Sequence, residues 1–267
     1  RRMEALFPGT VAAAAPTPRT LPEGAPLDID DAAVTAFMEA QNVAGLMLIQ
    51  DGKVRLERYG LGFTPANRWT SFSVAKSFTS TLVGAAIEDG KIGSLADPVT
   101  DYLPELKGSA YDGVTVKQLL TMTSGAQWNE NYTDPASDVV KMLSVPVAAG
   151  QDPVTAYMKT LERDHAPGTQ WEYKTGETNL IGSLVARATG ERLSDYAKRK
   201  IVDPAGLEGD LFWMVDSASN NIGGCCLSLR LSDYARMGLF AMEGGIPVYY
   251  GSNYSHAEVR GGHSTAP

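Results

Sequence analysis

Apolar residues recur at helical spacing in several stretches of the chain. Residues 30–41 place them on one helix face, at Ala33, Val34, Phe37 and Met38. The same periodicity predicts helices over 73–89, 176–189, 193–202 and 232–242. Gly90 and Gly190 follow two of these stretches, where glycine commonly ends a helix. A shorter helix is expected to start from a Thr115 cap, run to Met122 and be closed by Gly125.

Strand patterns are concentrated near the start of the chain. Two strand-like runs, 43–50 and 53–59, flank Asp51-Gly52, and Asp-Gly between such runs predicts a β-hairpin. Little further strand pattern is recoverable, and no internal repeat is visible. The predicted order is therefore a helix, a hairpin and a long helical middle.

Composition and charge narrow the class of protein. The 267 residues carry 23 Lys and Arg against 31 Asp and Glu, a net charge of −8, and 43% are hydrophobic. Such a chain can bury a substantial core, and its acidic balance argues against nucleic-acid binding, which needs clustered positive charge. Apolar runs are far shorter than the ~18 residues that span a bilayer. We therefore expect a globular protein with no nucleic-acid partner and no membrane span.

The two ends differ in composition from the middle. Residues 1–26 are rich in Ala and Pro and are expected to form an extended N-terminal arm on the surface. Residues 246–267 mix Gly, Ser, His and Tyr without a period, which predicts an irregular or truncated tail. Both a cytoplasmic and an exported location are compatible with the sequence. The oligomeric state is not predicted.

Several common catalytic motifs are missing. No Gly-x-Ser-x-Gly elbow occurs, and two of the three histidines, His256 and His263, lie in the tail, so a histidine-based triad is poorly supported. No His-Glu-x-x-His, Cys-x-x-Cys or glycine-rich phosphate loop is present. We therefore expect no metal and no cofactor. Cys225 and Cys226 are adjacent and cannot form an ordinary structural disulfide, and we expect small buried residues there.

A Ser-x-x-Lys motif stands out at the first turn of a predicted helix. Lys76 follows Ser73 by three positions, which places both side chains on one helix face, roughly 5–6 Å apart at Cβ. The positive end of the helix and partial burial both disfavour a cation, so Lys76 could accept a proton as a neutral amine. The Ser73 N–H, unpaired in the first turn, could bind an oxyanion. The motif also fits a simple alternative, a serine cap followed by a solvated lysine.

Residues 71–92, which read SFSVAKSFTSTLVGAAIEDGKI, resemble the nucleophile helix of the serine β-lactamase/penicillin-binding-protein superfamily. The branch that is most similar holds family VIII-type esterases and 6-aminohexanoate-dimer hydrolase. The resemblance continues in order through blocks at 95–106, 114–125, 167–173, 179–182, 204–207 and 231–236. It implies an α+β, β-lactamase-like fold, in which helices flank an antiparallel sheet. The catalytic domain would span 27–245, with a mostly helical inserted region at about 91–170.

The resemblance also implies roles for individual residues. Tyr173-Lys174-Thr175 occupies the place of the family's Tyr-x-Asn motif, so Tyr173 would share proton transfer with Lys76, and Thr175 would line the substrate site. The ordinary pKa of tyrosine, near 10, must be lowered for this, and a Lys76 cation would lower it. Tyr173 also fits a half-buried aromatic, and Thr175 fits the N-cap of the helix over 176–189. Trp171 is expected to be a packing residue.

The third family motif and the last strands of the sheet are not recognisable. His263, in Gly261-Gly262-His263-Ser264, has some of the motif's character but lies four residues from the end. The C-terminal strands are therefore expected to be missing or divergent.

The predicted function is a serine hydrolase that acts on a small ester or amide through an acyl-enzyme on Ser73. The catalytic residues would be Ser73, Lys76 and Tyr173, with Thr175 in substrate binding. One alternative is a β-lactamase or D-alanyl-D-alanine peptidase, which Thr175 in place of Asn disfavours. The other is a non-catalytic relative that keeps only the fold.

Overall fold

Helices supply most of the regular structure in the computed structural model, which describes residues 3–146 and 148–244. The α-helices in chain order are α1 (Asp31–Ala40), α2 (Ala75–Glu88), α3 (Val116–Leu120), α4 (Asp138–Ser144), α5 (Pro153–Met158), α6 (Thr175–Thr189), α7 (Leu193–Ala197), α8 (Asp203–Ala205) and α9 (Leu231–Met242). The strands are β1 (Gly9–Ala12), β2 (Gly45–Gln50), β3 (Lys53–Tyr59), β4 (Trp69–Thr70), β5 (Leu211–Met214) and β6 (Leu227–Leu229). Short 3₁₀ turns cover Met3–Ala5, Phe72–Val74, Val99–Asp101 and Pro104–Leu106, and a π-helical turn covers Lys198–Val202.

The predicted helices are present, and capping explains several of their ends. The Asp30 side chain accepts the Ala32 N–H at the start of α1, and Gly190 ends α6 in the left-handed conformation at φ 74°. Thr115 and Gln118 form a reciprocal capping box at the start of α3.

One predicted helix boundary is wrong, and one predicted helix is of mixed type. Helix α3 ends at Leu120 rather than Met122, and Gly125 does not close it. Gly125, at φ 79°, instead packs its backbone against the chain near His165, where an added Cβ would lie 2.0 Å from the carbonyl oxygen. The helix predicted over 193–202 is present over that range, as α7 followed by the π-helical turn.

The predicted hairpin is confirmed. Strands β2 and β3 pair antiparallel from Gly45–Tyr59 to Gln50–Lys53. The two turn residues have positive φ, 54° at Asp51 and 72° at Gly52, as a type I′ turn requires.

Four of the six strands in the described residues lie before residue 71, as predicted, but the two later strands were not predicted. A second antiparallel sheet has the order β1-β5-β6-β4, and two of its strands, β5 and β6, come late in the sequence. Residues Leu211, Phe212 and Trp213 of β5 are buried without alternation, and β6 has three residues, so neither shows a period of two. Strand β1 lies within the segment expected to be an arm and pairs along its whole length with β5. The helices and antiparallel sheets confirm the predicted α+β class.

A large part of the core lies between helices α2 and α6. Helix α2 buries Phe78, Leu82 and Ala85, and α6 packs against it with Leu180, Ile181 and Leu184. Along 91–170 the chain forms α3, α4 and α5 joined by turns. The domain boundaries at 27, 91, 170 and 245 remain predictions. The tail at 246–267, with His256 and His263, lies outside the described residues, and no helix in the described part is long and apolar enough to cross a membrane.

Candidate active site

Ser73 lies in a strained turn that leads from β4 into α2. Phe72, immediately before it, has φ 45°, a left-handed conformation that costs energy for a residue with a side chain. The turn is held against β6, because Ser71 N–H donates to the Leu227 carbonyl at 2.7 Å. Ser73 itself is exposed. The sheet thus presents the serine at the start of α2, where backbone N–H groups lack intrahelical partners.

Lys76 directs its amino group at three oxygen acceptors. Nζ lies 3.2 Å from Ser73 Oγ, 3.2 Å from Thr175 Oγ1 and 2.7 Å from the Gly224 carbonyl oxygen. An ammonium group has three N–H donors and no acceptor. The Gly224 carbonyl can only accept, so one N–H of Lys76 points at it, whereas the hydroxyls of Ser73 and Thr175 can accept or donate.

Tyr173 lies on the other side of Ser73. Its hydroxyl is 2.7 Å from Ser73 Oγ, and the Lys76 amino group lies 5.1 Å from the centre of its ring. Burial raises the pKa of Tyr173, but the hydrogen bonds with Ser73 and Lys76 and the lysine's charge outweigh it, so the pKa lies below its ordinary value. Among the tyrosines of the described residues whose pKa is shifted, Tyr173 is the one whose pKa is lowered.

Thr175 is the first residue of α6, and its hydroxyl faces the site. The helix cap is Lys174, so the alternative in which Thr175 serves only as the N-cap does not hold. Thr175 Oγ1 contacts Lys76, and it also donates to the carboxylate of Glu130. The structure therefore brings together all four residues singled out from the sequence: Ser73, Lys76, Tyr173 and Thr175.

Two further side chains adjoin Thr175 and were missed by the sequence analysis. Glu130 accepts the Thr175 N–H at 2.9 Å and the Tyr132 hydroxyl at 2.6 Å, and Tyr132 lies 3.2 Å from Thr175 Oγ1. Partial desolvation and the bond to Glu130 raise the pKa of Tyr132 to about 12, opposite to the change at Tyr173. One sequence feature could have indicated these two residues. It is the polar and aromatic run Trp-Asn-Glu-Asn-Tyr at 128–132, which lies in a segment without helical period.

The turn at 223–226 provides the third partner of Lys76. Gly223 packs against Gly182 of α6, where an added Cβ on Gly223 would meet the Gly182 Cα at 3.1 Å. Its carbonyl accepts the Thr79 hydroxyl of α2 at 2.7 Å, and the Gly224 N–H donates to Asn179 Oδ1 at 2.6 Å. Both central helices thus hold the turn and aim the Gly224 carbonyl at Lys76.

The cysteines next to this turn differ from the expectation of two small buried thiols. Cys225 and Cys226 are joined to each other by a disulfide bond. Because they are neighbours in sequence, the bond connects no distant segments. The Cys226 N–H donates to the Phe72 carbonyl at 3.4 Å, which places the pair beside the Ser73 turn.

The expectation for Trp171 is tested by its exposure. Trp171 is 64% exposed, so its predicted packing role is wrong. Phe72 and Val74, on either side of Ser73, are each 54% exposed, which leaves apolar surface next to the nucleophile. His165 lies beside Asp164, at 3.4 Å. Within 3–146 and 148–244, no three His, Cys, Asp or Glu side chains cluster as a metal site would require.

Comparison with known families now identifies the chain. The sequence model of the family described as Beta-lactamase matches residues 31–221. The chain belongs to this family. The predicted resemblance is thereby confirmed. The homologues of the chain are serine hydrolases with the β-lactamase-like fold.

Curated relatives include a 6-aminohexanoate-dimer hydrolase and β-lactamases. The chain is 34% identical over 209 residues to 6-aminohexanoate-dimer hydrolase of Paenarthrobacter ureafaciens, covering 75% of this chain and 52% of that protein. It is 30% identical over 187 residues to a Beta-lactamase of Pseudomonas fluorescens, covering 67% and 48%. The chain thus spans about half the length of the curated relatives it matches.

Solved structures confirm the fold. A Bacillus anthracis protein provisionally named a 6-aminohexanoate-dimer hydrolase superposes with a TM-score of 0.78 at 19% identity, covering 91% of this chain and 67% of its own. A class C β-lactamase solved in complex with cefoxitin superposes with a TM-score of 0.62 at 22% identity, covering 80% and 64%.

Proposed function

We propose that the chain is a serine hydrolase that cleaves an ester or amide bond through an acyl-enzyme formed on Ser73. The observation that carries the proposal is the convergence on Ser73 Oγ of the Tyr173 hydroxyl at 2.7 Å and the Lys76 amino group at 3.2 Å. A serine between a cation and a tyrosine with a lowered pKa is the arrangement of an activated nucleophile.

Acylation begins when the Tyr173 phenolate takes the proton of the Ser73 hydroxyl. The Ser73 oxygen then forms a bond to the substrate carbonyl carbon, and the carbonyl oxygen becomes an oxyanion. The Ser73 N–H, at the start of the helix, donates to that oxyanion. The intermediate collapses as the bond to the leaving group breaks, and Tyr173 returns the proton to the departing amine or alcohol.

Deacylation repeats these steps with water. Tyr173 takes a proton from water, whose oxygen attacks the acyl carbon, and the bond to Ser73 breaks as Tyr173 returns the proton to the serine oxygen. Lys76 remains an ammonium throughout, held by its three acceptors. Its charge stabilises the phenolate, and it donates to Ser73 Oγ as negative charge develops there.

The substrate class is the finer part of the proposal. The exposed apolar side chains next to Ser73 favour an uncharged, largely apolar acyl group, and the acidic net charge disfavours highly anionic substrates. The test is hydrolysis of p-nitrophenyl butyrate alongside the linear 6-aminohexanoate dimer, with Ser73→Ala as the control. Turnover lost in Ser73→Ala supports the proposal, whereas equal rates for the two proteins would contradict it.

A β-lactamase or peptidase activity is the second candidate, because curated relatives named Beta-lactamase match the same region. Thr175 in place of the family's Asn argues against it. Nitrocefin turnover more efficient than butyrate ester turnover, and lost in Ser73→Ala, would favour this candidate.

A further inference from the structure

The carboxylate of Glu130 gathers four hydrogen-bond donors beside the candidate active site. Both the N–H and the hydroxyl of Thr175 donate to it, as do the Tyr132 hydroxyl and the Trp128 indole N–H. Glu130 is half-buried, and its hydrogen bonds in the described residues go to Thr175, Tyr132 and Trp128 rather than to Ser73, Lys76 or Tyr173. The hydrogen-bonded route from Glu130 to Lys76 therefore passes through Thr175.

The position of this carboxylate is fixed by its loop. Trp128 is 6% exposed and lies against the start of α6, where a Cβ on Gly176 would meet its ring at 2.7 Å. The next residue, Asn129, donates its N–H to Asp138 Oδ2 at 2.7 Å, which ties the loop to α4. Glu130 is therefore held between two helices and has little freedom to leave the N-terminus of α6.

The carboxylate also determines where the hydroxyl protons point. An ionised carboxylate only accepts hydrogen bonds, so Thr175 and Tyr132 each direct their single proton at Glu130. The Thr175 oxygen is then left with lone pairs, one of which faces the Lys76 amino group at 3.2 Å. The neighbouring cap residue, Lys174, makes no side-chain cap, so Glu130 also takes over the capping of α6.

We propose that Glu130 is a positioning residue that acts on Lys76 through Thr175. It orients the Thr175 hydroxyl as an acceptor, and that acceptor holds the Lys76 ammonium within 3.2 Å of Ser73 Oγ. The proposal rests on the proposed hydrolase function, and it assigns Glu130 no contact with the reacting atoms.

The test is a double-mutant cycle between Glu130→Gln and Thr175→Val, with kcat and KM measured on p-nitrophenyl butyrate. Losing a hydrogen bond to a charged group should lower kcat by roughly ten- to a hundredfold and leave KM nearly unchanged. In the Thr175→Val background, Glu130→Gln should change kcat by less than about threefold. Glu39→Gln, which removes the same charge from the exposed face of α1, is the matched control and should match the wild type.

Labelling of Ser73 by a fluorophosphonate gives the concentration of folded, competent sites in each variant, so kcat is normalised for any loss of folding. Wild-type protein that fails to label contradicts the hydrolase function itself. Wild-type protein that labels, with a Glu130→Gln kcat equal to wild type or with additive effects in the cycle, overturns the role of Glu130 alone.

Discussion

Glu177 makes the stability of this fold depend on pH in an unusual direction. It lies on α6, two residues after Thr175, and is fully buried, with one oxygen accepting the Ser124 hydroxyl and the other unpaired. Burial raises its pKa from 4.5 to about 8, and the bond from Ser124 and the charge of Lys174 oppose this only in part. The folded protein therefore holds a proton on Glu177 that the unfolded chain releases above its ordinary pKa.

The sign and size of the effect follow from linkage. Because the folded state binds more protons between the unfolded value of 4.5 and the folded value of about 8, the free energy of unfolding falls as pH rises through that interval. One pKa unit corresponds to about 1.4 kcal/mol. The contribution of Glu177 to the free energy of unfolding that is lost by pH 8 is therefore on the order of 5 kcal/mol at most. Glu177→Gln keeps a neutral side chain of the same shape and should lose this dependence.

The assay is urea unfolding of wild type and Glu177→Gln at pH 5 and pH 8. Other groups titrate in both proteins, so the difference between the two pH dependences isolates Glu177. We expect the variant to be more stable than wild type at pH 8 by a few kcal/mol and close to it at pH 5. Glu39→Gln, on the surface of α1, should keep the wild-type dependence. If Glu177→Gln also keeps it, then Glu177 does not hold a proton in the folded protein.

Three further results are expected. Tyr173→Phe should lower kcat by roughly a hundred- to ten-thousandfold. The variant should remain folded, with an unchanged circular dichroism spectrum. Activity should fall as pH drops through the lowered pKa of Tyr173. Lys76→Met should move this limb of the kcat/KM profile to higher pH, because the hydrogen bond and charge of Lys76 no longer lower the pKa of Tyr173. A limb that stays in place would contradict the role of the cation. Gly52→Ala should lower the free energy of unfolding by about 1 kcal/mol, because of its positive φ alone. Gly125→Ala should lower it at least twice as much in urea unfolding, because the added Cβ also meets the backbone near His165. Equal losses would argue against this close backbone approach.

Local signals were sufficient for the longer helices, the hairpin and the pairing of Ser73 with Lys76. Ser73 and Lys76 are neighbours on one turn, and Asp51-Gly52 specifies its own turn type, so both could be predicted from short stretches of sequence. Tyr173 and Thr175 were identified because their motif resembles that of a family, since nothing in their spacing from Ser73 indicates contact.

Long-range contacts account for what sequence analysis missed. Strand β1 is specified by its pairing with β5, some 200 residues later, and the buried run of β5 lacks the alternation of a half-exposed strand. Glu130 lies 45 residues from Thr175, and the Gly224 carbonyl is a backbone group 148 residues from Lys76. Backbone acceptors, and helix caps supplied by distant residues of the same chain, leave no periodic pattern, so the sequence could not indicate them.

The central claim is that Ser73 is a nucleophile, and covalent labelling tests it most directly. The folded protein is incubated with a fluorophosphonate probe near neutral pH, and the modified residue is located by peptide mass spectrometry. We predict one adduct, on Ser73, that is absent in Ser73→Ala and much slower to form in Tyr173→Phe. Folded wild-type protein that remains unlabelled, or that carries the probe elsewhere while Ser73→Ala labels equally, would contradict the account.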